Sequence, residues 1–162
     1  MPYLLDSNVF IEAKNKYYQF SLCPGFWDWL IRENAHGKIF SHDGVLNELA
    51  GFGDDLSQWA ASRGQGFFIR SDQPTMTAFS TVANWVASQN FKPVAVRDFL
   101  NGADPILIAC GIAHRYTVVS HEVHVPGQRS KVKIPAVCQA LNVPCVTTFE
   151  MLAREKVVFD LR

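Results

Sequence analysis

Hydrophobic positions along the chain fall into two rhythms. Short runs such as Tyr3-Leu4-Leu5, Lys38-Ile39-Phe40-Ser41, Phe67-Phe68-Ile69, Thr117-Val118-Val119-Ser120 and Pro144-Cys145-Val146-Thr147 lack polar alternation. Runs of that kind are strands buried on both faces. Between them, apolar residues recur at helical spacing. Helices are predicted after Asp6-Ser7-Asn8, from Pro24 to Asn34, from His42 to Ala50 and from Asp54 to Arg63. Further helices are predicted from Pro74 to Gln89, Pro93 to Leu100, Asp104 onward, Ile134 to Leu141 and Phe149 to Glu155. The inward stripes are Val45, Leu46 and Leu49 in one helix and Phe79, Val82, Ala83 and Val86 in another.

Punctuation supports these elements. Asp6-Ser7-Asn8 offers three cap-type residues, and Gly37 suits the position just past a helix end. Asp104 is read as an N-cap with Pro105 in the first turn, and Thr148 as the cap of the last helix. Ile106-Leu107-Ile108-Ala109-Cys110 is apolar all round, so its helix is expected to be central. Strands alternating with helices predict one α/β domain over residues 1–162, a parallel sheet with helices on both faces. In such sheets the ligand site lies beyond the carboxyl ends of the strands.

Four acids fall at that edge. Asp6 follows the first strand, Glu48 lies in the helix after the second, Asp104 opens the central helix, and Glu122 lies two residues past Ser120. Each has a plainer reading: a helix cap for Asp6 and Asp104, a solvated helix face for Glu48, a loop acid for Glu122. Together they carry an energetic problem. Two carboxylates about 5 Å apart repel by ~3 kcal/mol at an effective dielectric of 20. A cation among them relieves that repulsion, and an all-oxygen set suits Mg2+ or Mn2+. Such ions bind a phosphodiester oxygen, activate water and stabilise a leaving oxygen.

Composition narrows the partners. The chain has 162 residues, 48% hydrophobic and 19% charged, which excludes a disordered chain. Lys+Arg and Asp+Glu number 15 each, so a globally basic coat is excluded. Contact with a polyanion must be local or carried by a bound cation. The four cysteines form no CxxC and no zinc spacing, and read as reduced thiols. The N-terminus lacks a basic leader and no window of about 20 apolar residues exists, so a cytoplasmic, membrane-free protein is expected.

Arg129, Lys131 and Lys133 form a basic patch beside the proposed site, and Lys133 is the best placed for phosphate contact. His121 and His124 flank Glu122 and read as loop or substrate contacts rather than metal ligands. His36 and His42 read as surface or capping groups. Tyr17, Tyr18, Trp27 and Trp29 read as core or dimer packing. Asp54, Asp55 and Asp72 read as helix-start acids, and Asp98 as exposed. No nucleotide phosphate loop and no G-x-S-x-G elbow occurs. An aspartyl-phosphate mechanism of the haloacid-dehalogenase type needs a second Asp at position 8, where the chain has Asn8.

The segment Leu4-Leu5-Asp6-Ser7-Asn8-Val9-Phe10 resembles the opening signature of PIN-domain proteins. Val45-Leu46-Asn47-Glu48-Leu49 resembles their second motif, Ala103-Asp104-Pro105-Ile106-Leu107-Ile108-Ala109 their third, and Val118-Val119-Ser120-His121-Glu122 their fourth. The segments Cys23 to Leu30, after Tyr17-Tyr18, and Lys133 to Cys138 are similar to an uncharacterised PIN-like branch. The resemblance spans nearly the whole chain. It implies a Rossmann-like PIN fold with strand order 3-2-1-4-5. It further implies a metal-dependent endoribonuclease, the toxin of a VapC-type toxin–antitoxin pair, with an antitoxin protein as partner and homodimers as an available assembly. On that likeness Asp6, Glu48, Asp104 and Glu122 are catalytic and ligate Mg2+ or Mn2+. Ser7 supports the first ligand and the phosphate, and Asn8 stands behind the ligands. A departure at the fourth position, Glu122 after Ser120-His121, keeps open a degenerate site in a module that binds RNA or protein.

Overall fold

The computed structural model describes residues 1–161. Its centre is β1 (Tyr3–Leu5), whose three side chains are all buried. β1 pairs in parallel with β2 (Ile39–His42) on one side and β4 (Thr117–Val119) on the other. β3 (Phe68–Ile69) extends the sheet beyond β2, and β5 (Cys145–Val146) beyond β4. The order is therefore β3-β2-β1-β4-β5, all parallel, with helices around it. This is a Rossmann-like α/β fold, and the expected strand order is the one observed.

Nine α-helices complete the described chain: α1 (Ser7–Glu12), α2 (Pro24–Ala35), α3 (Asp43–Ala50), α4 (Asp55–Ala61), α5 (Gln73–Ser88), α6 (Pro93–Asn101), α7 (Asp104–His114), α8 (Ile134–Ala140) and α9 (Thr148–Arg154). α1 runs on into a π-helical turn, Ala13–Tyr17. No helix among the described residues is long and apolar enough to cross a membrane. α7 is the central helix anticipated from its sequence: Leu107, Ile108, Ala109 and Cys110 are fully buried. It lies so close to β4 that a Cβ on Gly111 would meet Val118 Cγ2 at 3.1 Å. A residue without a side chain permits that approach with no shift of the strand.

Aromatic residues fill the core on the β3 side. Phe10 meets Trp59, Phe67 and Phe68 at ring-centroid distances of 5.9, 6.1 and 5.9 Å. Trp27 and Trp29 are buried, and Tyr18 stacks on Phe26 at 4.5 Å, so these three serve the core. Tyr17 does not. It stands half-exposed against Phe149 and His121.

Several local expectations shift. Asp104 is the first residue of α7 rather than its N-cap, and Pro105 is the second; Ala103 holds the cap position. Thr147, not Thr148, caps α9 by accepting from Glu150 N. Ala78 takes the inward place expected of Ala83 on α5. His42 caps α3 from a buried position, its Nδ1 accepting from Gly44 N at 3.0 Å. Asp54 and Asp72 cap α4 and α5 as their sequence suggests. All four cysteines are free thiols.

Candidate functional site

Strand order reverses between β1 and β4, because β1 leads outward through β2 while β4 leads outward through β5. A crevice opens at the carboxyl ends of two such strands. The register fixes its floor. Leu5 pairs with Val119, so the next residues, Asp6 and Ser120, leave the sheet side by side. Asp6 N bonds to Val119 O at 3.0 Å. The Ser120 hydroxyl donates to Asp6 Oδ2 at 3.1 Å, while Asp6 Oδ1 accepts from Ser7 N at 2.7 Å as the N-cap of α1.

The sequence does not single out Ser120, yet this residue organises the crevice. Its oxygen donates to Asp6 and accepts from Asn8 Nδ2 at 3.3 Å and from Glu122 N at 3.1 Å. Asn8 Oδ1 in turn accepts from His121 N at 3.0 Å. One hydroxyl thus ties the ends of two strands to the start of the following loop. The available signal is a lone hydroxyl closing an apolar β-branched strand, where the chain meets the ligand edge.

The remaining acids arrive on separate elements. Glu122 Oε2 accepts from Ile134 N at 2.7 Å, capping α8. Glu48 Oε1 accepts from Ala103 N at 3.0 Å, so the carboxylate of α3 caps the start of α7.

Electrostatics shows which acids meet. Burial, and then the charges of Asp104 and Glu122, push the Asp6 carboxyl well above its usual range, against the Ser7 and Ser120 hydrogen bonds. Asp104 is pushed up to about 7 by burial first, then by Glu122 and Glu48, with Lys131 pulling it back. Asp6, Asp104 and Glu122 therefore share one field, and Glu48 joins it through Asp104. Among the described residues, however, no trio of His, Cys, Asp or Glu side chains is preassembled as a metal-binding group. The acids form a looser ring whose oxygens are partly engaged by backbone N–H groups. Four carboxylates suit a hard dication; the buried Cys138 thiol also lies in the field of Asp6 and Glu122, which help to raise its pKa.

The other expected residues lie as follows. Ser7 Oγ is 3.4 Å from Asp6 Oδ1. Lys131 Nζ is 4.0 Å from Glu122 Oε1. Lys133 precedes α8. Arg129 is engaged by Asn90, its Nε and Nη2 donating to the Asn90 carbonyl and side-chain oxygens at 2.6 and 3.2 Å. His121 bonds through Nε2 to Thr148 Oγ1 at 2.8 Å, and burial lowers its pKa.

The protein is thus a parallel α/β domain with an acidic crevice at its topological switch point. The family model described as "Domain of unknown function (DUF4411)" matches residues 3–159, and the chain belongs to that family. No curated protein and no solved structure matches the chain.

Proposed function

We propose that this protein is a PIN-like, Mg2+- or Mn2+-dependent endoribonuclease and the toxin of a type II toxin–antitoxin pair, active in the cytoplasm. The observation that carries the reading is the shared field of Asp6, Asp104 and Glu122 at the strand switch, where burial opposes the charges of Asp6 and Asp104. Gathering acids in a half-buried crevice destabilises the fold unless a cation joins them. Asp6, Asp104, Glu48 and Glu122 would hold that ion. When bound, it supplies charge neutralisation for a phosphodiester, activation of a water and stabilisation of the leaving oxygen.

The chain's own groups hold this arrangement in place. Ser7 N and the Ser120 hydroxyl fix both oxygens of Asp6. Asn8 braces Ser120 and the backbone at His121, so the loop carrying Glu122 stays in register with Asp6. Lys131 beside Glu122 adds a positive charge suited to the non-bridging oxygens of a phosphate. Water is the nucleophile, and no covalent enzyme intermediate is needed. RNA and an antitoxin protein are the partners this reading requires.

The test is cleavage of single-stranded RNA by purified protein with Mn2+. Activity should disappear on chelation and in Asp6→Asn and Asp104→Asn. If those variants cut as well as wild type, the site assignment is wrong. A second reading has its own support, since Glu48 and Glu122 each commit an oxygen to a backbone N–H. In that reading the crevice is degenerate and the domain only binds RNA or protein. Calorimetric titration with Mn2+ separates the two: carboxylate-dependent uptake favours the nuclease, and none favours the binding module.

A further inference from the structure

The segment between β4 and α8 serves two places. Its first residues carry Ser120 and Glu122 into the acidic crevice, and its last, from Arg129 to Lys133, form one wall of a groove of about 560 Å3. Trp85 near the end of α5 and Phe91 beyond it form the facing wall, with ring centroids 6.2 Å apart. The groove is preformed. Arg129 is pinned by its two bonds to Asn90, and Lys92 N donates to Arg129 O at 2.9 Å.

Its chemistry is one-sided. None of the described residues lining it is Asp or Glu, while Arg129, Lys131 and Lys133 all line it, in a protein with no net charge. The side-chain amides of Gln89, Asn90, Gln128 and Gln139 complete the lining. Aromatic faces, side-chain amides and cations together suit bases and phosphates of an unpaired strand. Lys131 also reaches to 4.0 Å from Glu122, so one side chain borders both the groove and the crevice.

We infer that this groove is a nucleotide subsite, in which one or more bases pack on the Trp85–Phe91 wall while Lys131 and Lys133 take the adjoining phosphates. The choice of RNA as the polymer rests on the proposed nuclease function. An acidic peptide could use the cations but has less use for the aromatic wall.

The experiment measures fluorescence anisotropy of a short labelled single-stranded oligoribonucleotide of mixed sequence with the whole protein in EDTA, where cleavage is silent. Two lysine–phosphate contacts predict roughly sevenfold weaker binding between about 50 and 200 mM salt. Lys131→Ala/Lys133→Ala should weaken binding and flatten that dependence. Trp85→Ala should cost about fivefold or more. Because Trp85 also packs on the core, Gln139→Glu, an exposed and nearly isosteric change on α8, places a carboxylate in the groove without disturbing the fold; it should weaken binding several-fold. Unchanged affinity in Gln139→Glu and the lysine pair overturns the subsite, whether or not the protein cleaves RNA with Mn2+. So does the absence of RNA binding by wild type, or binding of polyglutamate in its place. Groove-dependent RNA binding without metal-dependent cleavage upholds the subsite while removing the nuclease reading.

Discussion

Replacing Asp104 by Asn should stabilise the metal-free protein at alkaline pH, although it removes an acid from a helix start. Asp104 is pushed from 3.8 to about 7 in the folded chain, by burial and by Glu122 and Glu48. The folded state therefore holds its proton more tightly than the unfolded state. Between roughly pH 4 and pH 7 the native form binds more protons, and stability falls as pH rises through that window. A shift of that size corresponds to about 4 kcal/mol at most. Asn loses the helix-dipole benefit of the carboxylate, about 0.3–1 kcal/mol. The net expectation is that Asp104→Asn gains on the order of 1–4 kcal/mol of stability at pH 8 in chelator and converges with wild type near pH 4. At about 2–4 °C per kcal/mol the melting temperature should rise by several degrees. Circular-dichroism melts of both proteins from pH 4 to pH 8.5 in EDTA make the comparison. A variant that melts below wild type at pH 8, or a difference that does not vary with pH, would refute the electrostatic account. Added Mn2+ should raise the melting temperature of wild type more than that of the variant.

Three further outcomes are expected. Ser120→Ala strips Asp6, Asn8 and Glu122 N of a shared partner and should lower stability by about 1–3 kcal/mol in urea titrations; an unchanged midpoint contradicts the bracing role. Glu48→Ala should lose about 1 kcal/mol with the cap on Ala103 N, whereas Glu48→Gln, which still accepts a hydrogen bond, should lose less, yet both should abolish Mn2+-dependent cleavage. Equal losses of stability would deny the cap. Asp54 is held down to about 2, first by its hydrogen bond from Lys14 and then by Ser57 N, so its contribution is present above the ordinary carboxyl range and vanishes as pH falls toward 2. In Lys14→Met the Asp54 titration midpoint, followed by NMR, should move up toward 3.8; a stationary midpoint excludes the ion pair as its cause.

Much of the architecture is legible in the sequence because it is written in local terms. Three-residue apolar runs such as Tyr3–Leu5 and Thr117–Val119 are too short to be helices and too apolar to face water. Asp54 and Asp72 cap helices through neighbours three residues away, and local patterns report such bonds well. What escapes depends on distant partners. Ala103 N is satisfied by Glu48, 55 residues earlier, a contact no spacing rule can see. Ser120 looks like the end of a strand because its role exists only once β1 lies beside β4. Arg129 reads as a free cation until Asn90 claims it.

The backbone clamps on Asp6, Glu48 and Glu122 have an evolutionary corollary. They hold like charges together against a thermodynamic slope that falls most steeply at Asp104, so a neutral replacement there would add stability to an idle copy of this chain. A lineage released from selection would drift downhill and shed Asp104 early, while Glu48 and Glu122 would persist for the helix starts they cap. Asp104 is thus the residue whose persistence depends most on continued use, and whose erosion would first betray retirement.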